Sequence, residues 1–132
     1  MPRVTWSLRH GRPTIEIVLV QAVGGSPVVR TLLSDIGAGA ELSAFELILD
    51  EDDCLLCGGT PIANLQLAGA FSGWFPIYGV RIQIPQIGFD DDVDVVGVPQ
   101  APSGVNGIAG FRFLNRFGYG NFGNRGQFGI EM

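Results

Sequence analysis

The sequence predicts an all-β fold in a single turn-rich domain, and three observations predict it. Extended runs rich in Val, Ile and Leu recur along the chain, and Gly- and Pro-containing breaks separate them. Glycine accounts for 20 of 132 residues while charged residues make up only 16%, a balance that describes a folded chain with many tight turns and excludes a disordered one. The clearest helical spacing is confined to one short stretch, where Phe111, Leu114 and Phe117 recur every third residue before Gly118. A chain of this length buries a real core without disulfides, so one domain spanning 1–132 is expected.

The elements follow in order. Thr14 to Val20 places Ile15, Ile17 and Leu19 on one face and Glu16, Val18 and Val20 on the other, a strand with both faces at least partly covered. Gly24-Gly25-Ser26-Pro27 interrupts it, and Val28 to Leu33 resumes the extended pattern as the second strand of a hairpin. In Glu41 to Leu49 the apolar residues fit neither period, which predicts a short helical turn or an irregular segment. The acid run Asp50 to Asp53 reads as a solvated loop, because a Ca²⁺ loop needs spaced oxygen ligands. Residues 61–84 read as a long hairpin with a Gly-rich aromatic tip from Ala68 to Trp74, and Val80, Ile82 and Ile84 point one way along its second strand. Phe89 to Val98 is an acidic turn entering a strand, Pro99 to Asn106 is a loop, and the tail forms a hairpin turning at 123–126.

Charge and cysteine content narrow the function. The formal net charge is −5, every basic residue is Arg, and no basic stripe forms, which argues against a nucleic-acid partner. Few charges leave much apolar surface, so an oligomer is expected. The first residues lack the apolar centre of a signal peptide and no run approaches a membrane span of about 20 residues, so a soluble cytoplasmic protein is the expectation. Cys54 and Cys57 form a C-x-x-C pair with no second pair, and His10 is far away, so two free thiols are expected, with no metal and no cofactor.

The candidate catalytic or ligand-binding residue is Asp35. The apolar run Val28 to Leu33 leads into Ser34-Asp35 and then a turn containing Ile36, Gly37, Ala38 and Gly39, so a buried strand delivers one carboxylate to a tight loop. A second informative stretch, Ile108-Ala109-Gly110, precedes the short helical pattern.

With these stretches in order, the chain resembles the retropepsin-like aspartic proteases. Leu32 to Ala38 is similar to the apolar-Asp-Thr-Gly-Ala signature, Ala68 to Trp74 falls where the flap belongs, and Gly107 to Leu114 is similar to the apolar-apolar-Gly segment with its following helix. The resemblance runs roughly from Thr14 to the final hairpin. It implies a closed, mostly antiparallel β-barrel with one short C-terminal helix, one lobe per chain, and therefore a homodimer. It further implies that Asp35 is catalytic, that Ile36, Gly37 and Ala38 form the active-site loop, and that Ile108, Ala109 and Gly110 support it. Gly69, Ala70, Phe71, Ser72 and Gly73 would form a flap whose backbone binds a peptide or protein substrate.

The sequence departs from that pattern in two places. Ile36 stands where the family carries Thr or Ser, and Phe111-Arg112 follows Gly110 where relatives often carry Arg-Asn, Arg-Asp or Met-Asp. A catalytically weak or inactive dimeric peptide-binding module of the same fold is therefore the main alternative. The string Leu33 to Gly39 also resembles the first motif of methyltransferases that bind S-adenosylmethionine, a reading that requires a helix after the Gly-rich turn.

Overall fold

The alternation of Ile15, Ile17 and Leu19 sends three side chains into the interior, each at most 1% exposed, and Val80, Ile82 and Ile84 do the same from another strand. The computed structural model describes residues 2–67 and 72–132. Its strands are β1 (Arg3–Ser7), β2 (Thr14–Leu19), β3 (Val28–Ser34), β4 (Leu47–Asp50), β5 (Pro61–Leu67), β6 (Gly73–Ile84), β7 (Phe89–Val98), β8 (Gly107–Ala109), β9 (Gly118–Gly120) and β10 (Gln127–Glu131). Two short helices, α1 (Glu51–Leu56) and α2 (Phe111–Leu114), complete the set with a 3₁₀ turn at Pro85–Ile87.

Six strands close a barrel in the order β2-β3-β8-β4-β7-β6, and the circuit is completed where Val18 and Leu19 pair with Gln83 and Ile82. Closure removes the exposed edges that an open sheet of these strands would present. β5 extends outward from β6 as the other arm of the hairpin, in register from Leu65↔Phe75 to Leu67↔Gly73. A separate sheet, β1-β10-β9, joins the two ends of the chain. The barrel is mostly antiparallel, with two exceptions: β3 pairs with β8, and β4 with β7, in parallel. Long crossovers between these partners permit that direction, whereas the tight hairpins β2–β3, β5–β6 and β6–β7 do not.

Two expectations change, and one element is new. Residues 40–46 are irregular, as one of the two expectations had it, but Leu47 begins β4, and its Leu47, Ile48 and Leu49 are all buried. Burial on both faces erases the alternation that marks a half-exposed strand. The acid run is not a solvated loop. Glu51, Asp52 and Asp53 open α1, where carboxylates suit the helix N-terminus, and Asp53 is only 7% exposed because Arg30 grips both its oxygens at 2.9 Å. Asp50 accepts the Ala101 N–H at 2.6 Å, and Glu51 accepts the Tyr78 hydroxyl at 2.9 Å. Finally, β1, to which sequence reading assigned no element, pairs along its length with β10 from Arg3↔Glu131 to Ser7↔Gln127.

α2 spans only Phe111–Leu114 and is held to the barrel by aromatic packing. Phe89, Phe113 and Phe117 meet edge to face with centroids 5.2–5.8 Å apart. Among the described residues no helix is long and apolar enough to cross a membrane.

Candidate active site

β3 carries Asp35 to the end of the barrel. Leu32 is fully buried and anchors the strand, and the Ser34 N–H donates to the Pro13 carbonyl at 2.9 Å, so β2 and β3 stay paired up to the last residue before the turn. The Asp35 N–H then crosses to the parallel neighbour β8 and donates to the Ala109 carbonyl at 3.0 Å. The turn closes on itself when the Ala38 N–H donates to the Asp35 carbonyl at 3.1 Å and the Gly37 N–H donates to Asp35 Oδ1 at 2.9 Å. A Cβ on residue 37 would lie 3.2 Å from that same carboxylate oxygen, which is why a glycine suits the position. The Asp35 carboxyl is half-buried, with one oxygen oriented by a backbone donor.

The segment after β8 holds the other side of the turn. The Phe111 N–H donates to the Ala38 carbonyl at 2.9 Å, and the Gly110 N–H donates to the Glu46 carbonyl at 2.9 Å. A Cβ on Gly110 would come within 2.8 Å of the Ala38 carbonyl oxygen, so only glycine lets the two segments lie this close. Asp35, Gly37 and Ala38 are thus brought together with Ile108, Ala109 and Gly110. Ile36 lies at the outer face of the turn, 57% exposed. Of the expected flap residues, Ser72 is exposed and Gly73 begins β6, while Gly69, Ala70 and Phe71 lie outside the described residues.

The hairpin and the turn share an apolar floor. Phe45, Ile48, Ile77, Val96, Val98 and Ile108 form a second buried cluster, separate from the barrel core. Leu33 and Ala38 of the site pack against it, and so do Leu65, Leu67 and Phe75 of the hairpin arms. The buried packing that connects the turn to the hairpin arms is therefore apolar.

Sequence reading missed the charged network behind the site. Glu46 is 2% exposed, and its carboxylate accepts from Arg116 Nε at 2.8 Å and from a terminal guanidinium nitrogen at 3.0 Å. Arg112 stands 3.8 Å from the same carboxylate and also donates to the Ser43 carbonyl at 3.1 Å and to Asp94 at 3.2 Å. Burial alone would push the Arg116 guanidinium down, but its bonds to Glu46 and Asp91 outweigh that and raise it, so it stays charged. One signal was present in the sequence: a lone acid inside the apolar run Phe45 to Leu49 demands a partner. Ser34 was also missed. Its Oγ is buried without a hydrogen-bond partner among the described residues, directly before Asp35.

No family model and no curated protein matches the chain. The geometry of the site and the resemblance of the sequence together carry the functional reading.

The remaining candidate groups do not converge on Asp35. Cys54 is buried and Cys57 half-buried, both as free thiols at the end of α1, where Gly58 and Gly59 follow the last helical turn. Burial pushes the thiols up to about 12 and about 11, away from nucleophilic or metal-binding character at neutral pH. Among the described residues, no group of three or more His, Cys, Asp or Glu side chains is arranged to hold a metal ion. The Gly-rich turn after Asp35 leads into the irregular residues 40–46 and then β4, not into the helix that a methyltransferase motif requires.

Proposed function

We propose that this chain is an aspartic endopeptidase of the retropepsin-like type, working as a homodimer whose two Asp35 carboxylates form one catalytic dyad. The observation that carries the reading is the Asp35 turn. A half-buried carboxylate sits at the end of a barrel strand, oriented by the Gly37 N–H and fastened on both flanks to 109–111. Such a turn holds an acid still while leaving it reachable, which suits general acid–base work on a bound substrate.

One carboxylate cannot run the reaction. Two copies related by a two-fold axis supply the pair, and two carboxylates held a few Å apart share a single proton because both cannot ionise together. The ionised Asp35 takes a proton from the attacking water, and the protonated Asp35 of the other copy donates to the scissile carbonyl oxygen. Their titrations belong to the dyad and not to either copy. Leu65, Leu67 and Phe75 pack the arms of the 61–84 hairpin on the same apolar floor as the turn, and by the resemblance the hairpin would close over an extended peptide and exclude water.

A second reading has one specific observation in its favour. Ile36 offers no hydroxyl to hold the two turns together, so a dimeric peptide-binding module without hydrolysis is the alternative. The test is cleavage of a diverse peptide mixture between about pH 4 and 7, read by mass spectrometry, with Asp35→Asn beside the native chain. Cleavage by the native chain that falls by about 10⁴-fold or more in the variant supports the protease. Binding of the same peptides without cleavage by either protein supports the module.

A further inference from the structure

Glu46 lies outside the Asp35 turn, yet the segment that fastens the turn is attached to it twice. Its carbonyl accepts the Gly110 N–H at 2.9 Å, and its own N–H donates to the Asp94 carbonyl at 2.8 Å, which locks this part of the backbone to β7. Its carboxylate receives two hydrogen bonds from Arg116, just beyond α2, and stands in ion-pair range of Arg112 within α2. One anchor point is Gly110 itself and the other is Arg112 with Arg116, and the two neighbours of Gly110 reach the turn: the Ala109 carbonyl accepts the Asp35 N–H and the Phe111 N–H donates to the Ala38 carbonyl. The turn is therefore bonded at both ends to the residues flanking Gly110, which one buried acid holds at Gly110 and again beyond it at Arg112 and Arg116. The contacts around Gly110 are too close for even a methyl group, so a small shift of α2 passes directly to the turn.

We propose that Glu46 is a positioning residue for Asp35: its charged carboxylate, through Arg116 and Arg112, fixes 109–111 and thereby the position of the catalytic turn. The catalytic part of this inference rests on the protease reading, while the control of the turn does not. A dyad needs its two carboxylates at one spacing, and a displacement of about 1 Å costs catalysis up to about 100-fold. Because Glu46 is buried and its carboxylate is engaged by Arg116 and Arg112, its loss is expected to lower kcat and leave KM in place.

The experiment compares the native chain with Glu46→Gln, which keeps the volume and removes the charge, and with Ile130→Val, which trims a buried side chain of the β1-β10-β9 sheet. Amide hydrogen exchange at Asp35 and Ala38 is measured alongside peptide cleavage. In Glu46→Gln, kcat is expected to fall about 10- to 100-fold with KM nearly unchanged. The Asp35 and Ala38 amides are expected to exchange at least about tenfold faster, while β1 and β10 amides keep their protection. Ile130→Val is expected to change neither kcat nor the turn amides. If Glu46→Gln does not fold, Arg116→Lys keeps the charge but loses the two-pronged grip, and an intermediate loss in both readouts is expected. A folded Glu46 variant with native turn exchange and native kcat overturns the proposal. Looser turn amides in a chain whose native form cleaves nothing support the positioning role and remove the protease reading instead.

Discussion

At the scale of single residues, the two cysteines give a pH dependence with a definite sign. Burial is the main cause that keeps both protonated in the fold, at about 12 for Cys54 and about 11 for Cys57, against 9.0 for an ordinary thiol. As pH rises through 9, the unfolded chain releases these protons first and the folded chain keeps them. The contribution to stability is therefore complete below about pH 9 and is lost as pH climbs through the folded values. The Tyr78 phenol, raised first by burial and then by Glu51, acts in the same direction. Urea denaturation at several pH values should show the midpoint falling above about pH 9, with a shallower fall in Cys54→Ala/Cys57→Ala. The same alkaline limb in both proteins would mean that the thiols play no part in it. At pH 7 to 8 the folded protein should also resist iodoacetamide, and the denatured chain should not.

At the scale of elements, the three-residue strand β8 carries more than its length implies, since it pairs with β3 on one side and β4 on the other. Gly107 begins it, and a Cβ there would lie 2.2 Å from the Ile48 carbonyl oxygen and 2.8 Å from Leu49 Cδ2. The backbone of β4 cannot yield without opening the barrel. Gly107→Ala is therefore expected to destabilise the fold by about 3 kcal/mol in chemical denaturation, and a loss under about 0.5 kcal/mol would show that the barrel is looser here than its geometry implies. What the sequence disclosed follows the range of the forces involved. The hairpins β2–β3 and β5–β6 and the Asp35 turn were legible, because alternation and Gly chemistry are local. β4 was hidden by burial on both faces. Asp53 was misread because its partner Arg30 lies 23 residues away, and the Glu46 clamp escaped because Arg116 is 70 residues distant. The bonds from 109–111 to the turn could be anticipated only from the order of motifs, since nothing local in Gly107 to Phe111 points to residue 35.

At the scale of the whole molecule, one chain presents one Asp35, and the catalytic proposal stands or falls on association. Ile36, at the outer face of the site turn and 57% exposed, is the side chain best placed for a two-fold axis running beside Asp35 to bury. On such an axis the residue meets its own copy, so each dimer buries it twice. At about 1.5 kcal/mol for each side chain, removing both apolar contacts costs about 3 kcal/mol, or roughly 100-fold in Kd. Each copy carries a net charge of −5, so repulsion opposes association and salt relieves it. Sedimentation of the native chain should give a mass rising with concentration from 14.1 kDa toward twice that value, more readily in added salt. Ile36→Glu should shift the midpoint upward by about 100-fold or more, because it removes the apolar contact and sets two carboxylates against each other on the axis. Ile36→Thr should shift it far less if its hydroxyl finds a partner across the axis. A native chain that stays at 14.1 kDa at every concentration would remove the dyad and with it the proposed chemistry, whereas a dimer indifferent to Ile36→Glu would place the axis elsewhere and leave each Asp35 alone.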